Sequence, residues 1–407
     1  MRVAIVGGGI GGLTAALYLH RMGIHVRVFE AAPLFKALGV GINLMPHAIR
    51  RLSELGLASE LKARGVEPLE FAFFTRHGQA IYSEPCGRHA GHSWPHFSIH
   101  RGALHEVLFD AARSRLGEEN VVTDRRLAHF EQNPQSVALH FVSADGATFV
   151  EHADAVIACD GIHSQIRKQL FPSEGAPAFD GIHMWRGVTY GEPFLTGATV
   201  ARCGSLAHGK LTVYPIQQLP DGRQLINWVA EVRKGALTHT DWSRPGRLED
   251  FIDYYADRRF DWLDIPEMMR RAEMILEYPM VDRDPLPRWT FGRVTLLGDA
   301  AHPMYPRGGN GAAQAIVDAE AVALCLAKEA GVEQALQRYE NERRMVTTRI
   351  VLTNRSEPPD HIIERVEQLT GGRTFSAIDD VVSQSELAEI SHKYQRVTGM
   401  DLDSTSV

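Results

Sequence analysis

A glycine-rich turn near the start of the chain constrains its fold more than any other feature. The apolar run Arg2–Val6 predicts a strand, the periodic residues 12–22 predict a helix, and residues 26–30 predict a second strand. Residues 7–12, which join the first strand to the helix, fit the spacing GxGxxG. A strand, a helix and a second strand within about 30 residues form a βαβ unit with parallel strands. The chain is therefore predicted to contain a Rossmann-like α/β domain.

The turn has the chemistry of a dinucleotide-binding site. Gly7 permits a tight turn, Gly9 lets the backbone approach a pyrophosphate, and Gly12 lets the helix pack closely on the strand. The helix N-terminus then faces the phosphates, and the Glu30 carboxylate can accept a hydrogen bond from a ribose hydroxyl. A generic glycine-rich turn is the alternative. The predicted cofactor contacts of this unit are Gly7, Gly9, Ile10, Gly11, Gly12 and Glu30.

Two later segments also place polar residues after apolar strands. The run 155–159 ends at Asp160-Gly161, for which an ordinary acidic strand end is an equal alternative. The run 294–297 ends at Gly298-Asp299, and a Pro/Gly-rich loop and a helical pattern at 312–326 follow. Asp299 can hydrogen-bond a polyol there, and the loop lets backbone N–H groups reach a flat ring. Cofactor-type loops so far apart in the sequence indicate one large cofactor held at both ends.

Between these segments the pattern becomes strand-rich and aromatic. Residues 184–188, 210–215 and 225–230 predict antiparallel strands, and residues 247–257 predict a helix. We therefore predict a discontinuous cofactor domain with an inserted α+β substrate domain built on an antiparallel sheet. The predicted bounds are 1–75, 98–178 and 281–370 for the cofactor domain, 76–97 and 179–280 for the substrate domain, and 371–407 for a C-terminal helical tail. Further predicted elements are helices at 44–64, 101–116 and 383–394, strands at 136–142 and 147–150, and a frayed end at 401–407.

Charge and composition argue against several classes of partner. The net charge is −7, whereas nucleic-acid-binding domains favour a basic surface. No stretch reaches the ~18 apolar residues of a membrane helix, and residues 3–6 are too short for the apolar core of a signal peptide. We expect a cytoplasmic monomer or homodimer with no nucleic-acid or membrane partner. The cysteines are far apart, as free thiols of a reducing cytoplasm would be: Cys86, Cys159, Cys203 and Cys325.

No metal site is predicted. Five of the 19 histidines lie close together in the sequence, namely His89, His92, His96, His100 and His105. However, Gly91 and Pro95 interrupt any helix that would place them on one face, and no Cys or acidic residue shares their spacing.

The three segments together resemble the single-component FAD-dependent aromatic hydroxylases, which include p-hydroxybenzoate and salicylate hydroxylases. The shared order is GxGxxG with a ribose-binding acid, then DGxxSxxR at 160–167, then GDAAHPxxPxxGxG at 298–311. The resemblance covers essentially the whole chain. It implies bound FAD, NAD(P)H as a transient reductant without its own GxGxxG, and O₂ as co-substrate. It also implies a flavoprotein monooxygenase that hydroxylates an aromatic or N-heteroaromatic ring through a flavin C4a-hydroperoxide.

The resemblance implies further cofactor contacts. Arg101 matches the family arginine that approaches FAD, and Asp160 and Arg167 match a segment that serves both FAD and the passing nicotinamide. Asp299 matches the acid that binds the ribityl chain. The other implied contacts are Gly41, Gly308 beside the reactive flavin edge, and Asn310 and Gly311 at the pyrimidine end of the flavin.

The strings at 98–102, 184–189 and 278–287 are similar to the phenazine-modifying branch, which includes 5-methylphenazine-1-carboxylate 1-monooxygenase. The substrate pocket is expected between the inserted sheet and the flavin loop. Because an arginine can clamp a carboxylate with two hydrogen bonds, Arg186 or Arg307 is expected to meet a substrate carboxylate or oxyanion. The catalytic candidates are Pro306, Arg307, Gly308, Arg186 and Tyr214. Gly41, Trp185, Trp228 and Tyr305 are further pocket candidates, with the sheet core as the alternative for the aromatic ones.

Several choices stay open at this point. The substrate is a carboxylate-bearing phenazine or a salicylate-like ring, hydroxylated with or without loss of the carboxylate, at the expense of NADH or NADPH. A flavin oxidase or dehydrogenase on the same scaffold is the main alternative, and a non-catalytic flavin-binding regulator is the other.

Overall fold

The computed structural model describes residues 1–34, 40–235 and 244–399. The strands are β1 (Arg2–Val6), β2 (His25–Phe29), β3 (Gly41–Leu44), β4 (Gly65–Val66), β5 (Glu70–Phe74), β6 (Ala80–Pro85), β7 (Phe97–His100), β8 (Val121–Val122), β9 (Arg126–Gln132), β10 (Val137–Val142), β11 (Thr148–Ala153), β12 (Ala155–Ala158), β13 (Ala178–Gly191), β14 (Thr199–Cys203), β15 (Lys210–Gln218), β16 (Gln224–Arg233), β17 (Arg259–Phe260), β18 (Leu263–Asp264), β19 (Met274–Asp282), β20 (Thr290–Phe291) and β21 (Val294–Leu296). The α-helices are α1 (Ile10–Arg21), α2 (Pro46–Glu54), α3 (Ala58–Arg64), α4 (Arg101–Leu116), α5 (Gln165–Leu170), α6 (Ile265–Arg270), α7 (Gly311–Lys328), α8 (Val332–Ser356), α9 (His361–Thr370) and α10 (Gln384–Thr398).

The first sheet carries the predicted βαβ unit. Its strand order is β20-β21-β12-β1-β2-β8. β1 pairs in parallel with β2 on one side and with β12 on the other, and β12 pairs in parallel with β21. The chain leaves β1 in one direction and returns to β12 on its other side, so the strand order reverses at β1. Ligands of such sheets bind at the carboxyl ends of the strands beside this reversal.

The second sheet contains seven strands in the order β19-β13-β16-β15-β14-β5-β6. Its strand pairs are antiparallel except β14 and β5, which run in parallel. The predicted fold class, a Rossmann-like domain with an inserted α+β unit, is confirmed. One detail differs. The predicted bound at residue 75 placed β5 in the cofactor domain, whereas β5 pairs with β14 in the seven-stranded sheet. The other domain bounds stay a prediction.

The two faces of the seven-stranded sheet have different partners. On one face Trp185 and Trp228 pack with Phe251 and Tyr255 in an apolar core. Side chains alternate along a strand, so the neighbouring positions point the other way. We define this second side, the inner face, by one row of cross-strand partners: Arg186, Val229, Thr212, Arg202, Phe73 and Tyr82.

Two helix predictions need correction. The predicted helix 44–64 is two helices, α2 and α3, because Gly56 takes a φ of +74° and ends the first. The predicted helix 247–257 consists of two short 3₁₀ helices, Leu248–Asp250 and Ile252–Tyr255. The predicted frayed end 401–407 lies outside the described residues.

Within the described ranges, no helix combines the length and the apolar character needed to cross a membrane. The cysteines are unpaired, and three of them are buried: Cys86, Cys203 and Cys325, with Cys159 partly so.

Candidate active site

The turn after β1 leaves an open space beside the start of α1. Gly7 has a φ of +105°, and a Cβ there would lie 2.3 Å from the carbonyl oxygen of Cys159. A Cβ at Gly12 would lie 2.0 Å from the Gly7 carbonyl oxygen, so no larger residue fits without movement. Gly9 has nothing within 4 Å of its Cβ position. No side chain caps α1 in the described structure, so its first N–H groups are available to a phosphate.

Glu30 fixes the other side of this turn. Its Oε2 accepts a hydrogen bond from the Gly8 N–H at 2.7 Å, and its Oε1 accepts one from the Ala32 N–H at 2.8 Å. Each carboxylate oxygen has a second lone pair, so a ribose hydroxyl can still donate to it. Ile10 and Gly11 are the first residues of α1.

Asp299 lies just after β21, at the same carboxyl edge of the first sheet as the turn after β1. We call the space beside these two segments the cleft. The Asp299 side chain is open to solvent in the cleft, yet enclosure by surrounding protein raises the pKa of the carboxyl, while His302 and Arg101 oppose the shift. Burial lowers the pKa of His105, which contacts the Gly8 carbonyl oxygen at 2.7 Å, and Arg101 lowers this pKa further. Arg101 thus influences a titratable group at each of the two loops, and its predicted approach to FAD stays a prediction.

The loop before α7 presents backbone groups at the same cleft. Pro306–Gly308 is a 3₁₀ turn, Gly309 has a φ of +68°, and Gly311 is the first residue of α7. Asn310 is fully buried, and its Oδ1 has no hydrogen-bond partner in the described parts of the chain. The first N–H groups of α7 have no side-chain cap, and Asn310 Oδ1 is an unsatisfied acceptor. Both can form hydrogen bonds with the polar edge of a ring. The two loops therefore fit FAD, with the pyrophosphate at α1, the ribityl chain at Asp299 and the flavin ring at α7.

The second motif stabilises the segment that follows β12. Asp160 accepts hydrogen bonds from the Ser164 hydroxyl at 2.6 Å and from the Gln165 N–H at 2.7 Å, at the start of α5. Its predicted contact with the cofactor stays a prediction. Arg167 is 1% exposed, pairs with Glu174, and donates to the carbonyl oxygens of Ala300 and Ala301 at 3.0 Å each. Because these acceptors and one further carbonyl oxygen use its donors, the prediction that Arg167 binds FAD directly is corrected. It supports the turn that carries Asp299.

A buried ion network lies beneath that turn. Asp318 of α7 is fully buried, with its Oδ2 2.5 Å from His302 Nε2 and its Oδ1 2.7 Å from Arg343 Nε. Burial alone would raise the pKa of Asp318, but His302 and Arg343 outweigh it and hold the pKa below its usual range. The network joins α7, α8 and the turn that precedes the flavin loop.

Replacing Asp318 with asparagine is expected to lower the free energy of unfolding by about 3–5 kcal/mol, because it leaves a buried arginine without its counter-ion. The folded-state pKa lies below the unfolded value, so the carboxylate stabilises the protein above roughly pH 4 and loses this effect as pH falls through the folded pKa. Urea unfolding from neutral to acidic pH measures both effects. The control is Asp221→Asn, which removes an exposed partner of Arg223. Equal stability of Asp318→Asn and wild type at neutral pH would contradict the prediction.

The sheet separates the predicted pocket residues into two groups. Arg186 and Tyr214 lie on the inner face, whereas Trp185 and Trp228 lie on the opposite face and are core residues. The prediction that the two tryptophans line the pocket is therefore wrong, because adjacent positions of a strand point to opposite sides.

Gly41 and Arg186 join the small sheet β3-β7-β4 to the seven-stranded sheet. Arg186 Nη2 donates to the Gly41 carbonyl oxygen at 2.7 Å, and the Gly41 N–H donates to Asn227 Oδ1 at 2.6 Å. A Cβ at Gly41 would lie 2.7 Å from a methyl carbon of Ile216. Gly41 thus needs to be glycine because the inserted sheet contacts it, and its predicted role as an FAD contact stays a prediction. Burial raises the pKa of Tyr214, and the neighbouring Arg186 opposes the shift.

Arg307 contacts the start of β13. It is 8% exposed, and its Nη2 lies 3.3 Å from Asp180 Oδ2. Tyr305 packs with Met184 and Tyr278 in a small apolar cluster on the sheet. Pro306, between them, is exposed.

A cavity of about 430 Å³ lies between the inner face and the Pro306–Gly308 turn. This volume is in the range of small-molecule pockets, about 300–1,000 Å³. Of the residues predicted for the pocket, Gly308 lines it. The other walls include Met45, Phe71, Phe73, Tyr82, Arg202 and Tyr394.

Arg202 is a buried charged residue of this cavity that the sequence analysis did not predict. It is 8% exposed, its guanidinium lies 5.8 Å from the ring centroids of Phe71 and Phe73, and its Nη1 lies 3.4 Å from Asp360 Oδ1. Lys210 also pairs with Asp360 and with Glu231. The signal available in the sequence was the place of Arg202 between the apolar neighbours Ala201 and Cys203, although no strand was predicted at 199–203.

The clustered histidines do not form a metal site in the described structure. His92 and His96 line the cavity, His100 caps α4, and His105 contacts the phosphate-binding turn. Another group, His129, Glu131 and His140, has donor atoms within 4.8 Å of one another on an exposed hairpin. Its imidazole rings stack in parallel, 4.1 Å apart. The nitrogen lone pairs of two stacked imidazoles lie in parallel planes and do not point to one common ion. We therefore assign no metal to this group.

A two-loop FAD cleft beside an aromatic cavity defines a flavin-dependent aromatic hydroxylase. The chain belongs to the FAD binding domain family, whose sequence model matches residues 1–354. It is similar to phenazine 1,6-dicarboxylic acid hydroxylase PhzS of Lysobacter antibioticus, with 40% identity over 97% of this chain and 96% of that protein. It is similar to 6-hydroxynicotinate 3-monooxygenase of Pseudomonas fluorescens, with 32% identity over 84% and 87%. Klebsiella pneumoniae HpxO, solved with FAD and uric acid, shares the fold with a TM-score of 0.77, 23% identity, and coverage of 100% and 97%.

Proposed function

We propose that this aromatic hydroxylase acts on a flat N-heteroaromatic ring that carries a carboxylate, of the phenazine-carboxylate class. One observation carries the proposal, namely a buried arginine, Arg202, in an aromatic-walled cavity beside the flavin loop. Bound FAD would supply the redox chemistry, namely oxidation of NAD(P)H and activation of O₂ for hydroxylation of the ring. The chain itself has to hold the ring and its carboxylate in place and to exclude water.

The cavity walls suit a flat ring with one acidic group. Phe71 and Phe73 of β5 and Tyr82 of the neighbouring strand β6 line the cavity with three aromatic rings. Arg202 lies between them and Asp360, and the one protein acceptor it meets in the described structure is that carboxylate. Burial and Arg202 lower the pKa of His96 to about 3, so the neighbouring imidazole is neutral. The Arg202 guanidinium therefore supplies a buried positive charge beside the aromatic side chains.

The names of the relatives point to the same chemistry. The relative that covers nearly the whole chain is named for phenazine 1,6-dicarboxylic acid. Others are named for 3-amino-4-hydroxybenzoate, 6-hydroxynicotinate and 3-hydroxybenzoate, all of them aromatic carboxylates. These names support the proposed substrate class for this chain.

The remaining residues have supporting roles in this proposal. Arg186 and Tyr214 fix the junction between the sheets, and Arg307 ties the flavin loop to β13. Both cofactor loops and the cavity come from one chain, so a monomer or homodimer would suffice. We place the enzyme in the cytoplasm, where NAD(P)H is supplied.

Carboxylated phenazines are expected to stimulate NAD(P)H oxidation by the purified FAD-loaded enzyme. Phenazine-1-carboxylate should have a KM about 10- to 100-fold below that of unsubstituted phenazine, because a hydrogen-bonded ion pair contributes about 1.5–3 kcal/mol. In ¹⁸O₂ the product should carry one labelled oxygen. NADH and NADPH are compared in parallel. Product without label would identify an oxidase, and equal KM values for the two rings would overturn the proposed carboxylate recognition.

A further inference from the structure

The C-terminal helix α10 connects the two halves of the active site. On one side, Ser391 Oγ and Gln395 Nε2 donate to Glu84 of β6 at 2.7 and 2.9 Å. On the other side, Gln314 of α7 donates to the Thr398 carbonyl oxygen at 3.4 Å. The helix thus bridges the edge of the seven-stranded sheet and the helix that begins at the flavin loop.

Tyr394 is the residue of α10 that touches the flavin loop. Its hydroxyl donates to Asn354 Oδ1 at 2.8 Å and accepts from Asn310 Nδ2 at 3.1 Å. Asn354 of α8 in turn donates to the Tyr305 carbonyl oxygen at 3.2 Å. All three polar side chains are at least 96% buried. One phenol therefore fixes the loop at two points, residues 305 and 310.

Gly308 shows how close this contact is. A Cβ at Gly308 would lie 1.4 Å from the Tyr394 hydroxyl oxygen and 2.5 Å from its ring carbon Cζ. The phenol occupies the space that a side chain at position 308 would need. Gly308 therefore has a reason to be glycine in the protein itself, in addition to any contact with FAD.

We propose that Tyr394 is a positioning residue for the flavin, and that α10 is part of the active site. The phenol holds the turn 306–308 and the start of α7 in the orientation that sets the ring edge against the cavity. His392, Gln395 and Arg396 of the same helix line that cavity. This segment lies beyond residues 1–354, which the family model matches, so the family pattern does not contain it. The inference rests on the assigned FAD site and not on the proposed carboxylate substrate.

The test is Tyr394→Phe in the FAD-loaded enzyme, compared with Tyr255→Phe. Tyr255 is also a fully buried tyrosine whose hydroxyl donates to a carbonyl oxygen, at 2.7 Å, but it packs on the opposite face of the sheet. Three quantities are measured: the visible absorption spectrum of bound flavin, its reduction potential, and the fraction of consumed NAD(P)H that yields hydroxylated product. The first two need no substrate, so they test the inference even if the proposed substrate is wrong.

Tyr394→Phe is expected to shift the flavin spectrum and potential and to weaken FAD binding about tenfold, because the buried amides of Asn310 and Asn354 each lose a hydrogen bond. The coupled fraction of NAD(P)H should fall several-fold, whereas Tyr255→Phe should change none of these. Ser391→Ala, which loosens α10 at Glu84, should produce a smaller change in the same direction and serves if Tyr394→Phe does not fold. Wild-type spectrum, potential and coupling in both α10 variants would overturn the proposal.

Discussion

An alanine at Gly9 is expected to abolish FAD binding while leaving the apoprotein folded. The Cβ position of Gly9 is open and its φ is −76°, so alanine fits the protein without strain. The open space is where the pyrophosphate must approach, and a methyl group would keep it from the N–H groups of α1. Because charge-assisted hydrogen bonds contribute about 1.5–3 kcal/mol each, losing them should raise the Kd for FAD at least about 100-fold.

Gly12→Ala is the matched comparison, since its Cβ would lie 2.0 Å from the Gly7 carbonyl oxygen. This variant should also lose FAD, but through the fold, with overpacking costing about 1–3 kcal/mol in the apoprotein. Fluorescence titration of FAD and urea unfolding of both apoproteins separate the two causes. If Gly9→Ala bound FAD as wild type does, the assignment of this turn to the pyrophosphate would be wrong.

Arg202→Met is expected to lower kcat/KM for a carboxylated phenazine about 100-fold, because it removes a charge-assisted hydrogen bond made in a buried site. Methionine keeps much of the apolar volume beside Phe71 and Phe73. The buried Asp360 still has Lys210 as its partner, so the variant should remain folded. Activity toward a ring without a carboxylate should change little.

Arg202→Lys separates charge from shape. Lysine keeps the positive charge but loses the planar fork, so it should recover part of the lost affinity. The control is Arg223→Met, which removes a positive charge from an exposed ion pair with Asp221. It measures the effect of losing one positive charge outside the cavity. Steady-state kinetics on carboxylated and unsubstituted rings give the comparison. A similar loss of activity on both rings would indicate damage to the cavity and not to carboxylate recognition.

The cofactor loops could be predicted from the sequence because each is a local arrangement. Gly7 and Gly12 are explained by contacts within a few residues or with one neighbouring strand, Gly9 borders an open space, and Asp299 follows directly from the end of β21. Arg167 shows where such local reasoning stops. Its motif was recognised, but its acceptors come from residues 174, 284, 300 and 301, and no local pattern indicates that they surround it.

The substrate site was less predictable because it is built from cross-strand pairing. The row that joins Arg186 to Arg202 crosses four strands, β13, β16, β15 and β14, and its register is fixed by tertiary structure. The tryptophans were assigned to the pocket for their chemistry, although their positions alternate with those of Arg186 and Tyr214. The role proposed for α10 depends on contacts between residues that are 40 to 311 positions apart.

The two-faced sheet also bears on how such an enzyme changes its substrate during evolution. Positions that face the cavity alternate with positions that hold the core, so each strand contains mutable and constrained sites in turn. A gene library that varies Phe71, Tyr82 and Arg202, which line the cavity, would sample new pockets without altering the packing of Trp185 and Trp228. Phe73 would be kept constant, because it lines the cavity and also packs with Ile362 and Ile363 in an apolar cluster. Selection on substrate range can therefore act at some positions of these strands with little penalty in folding, but not at every position that faces the cavity.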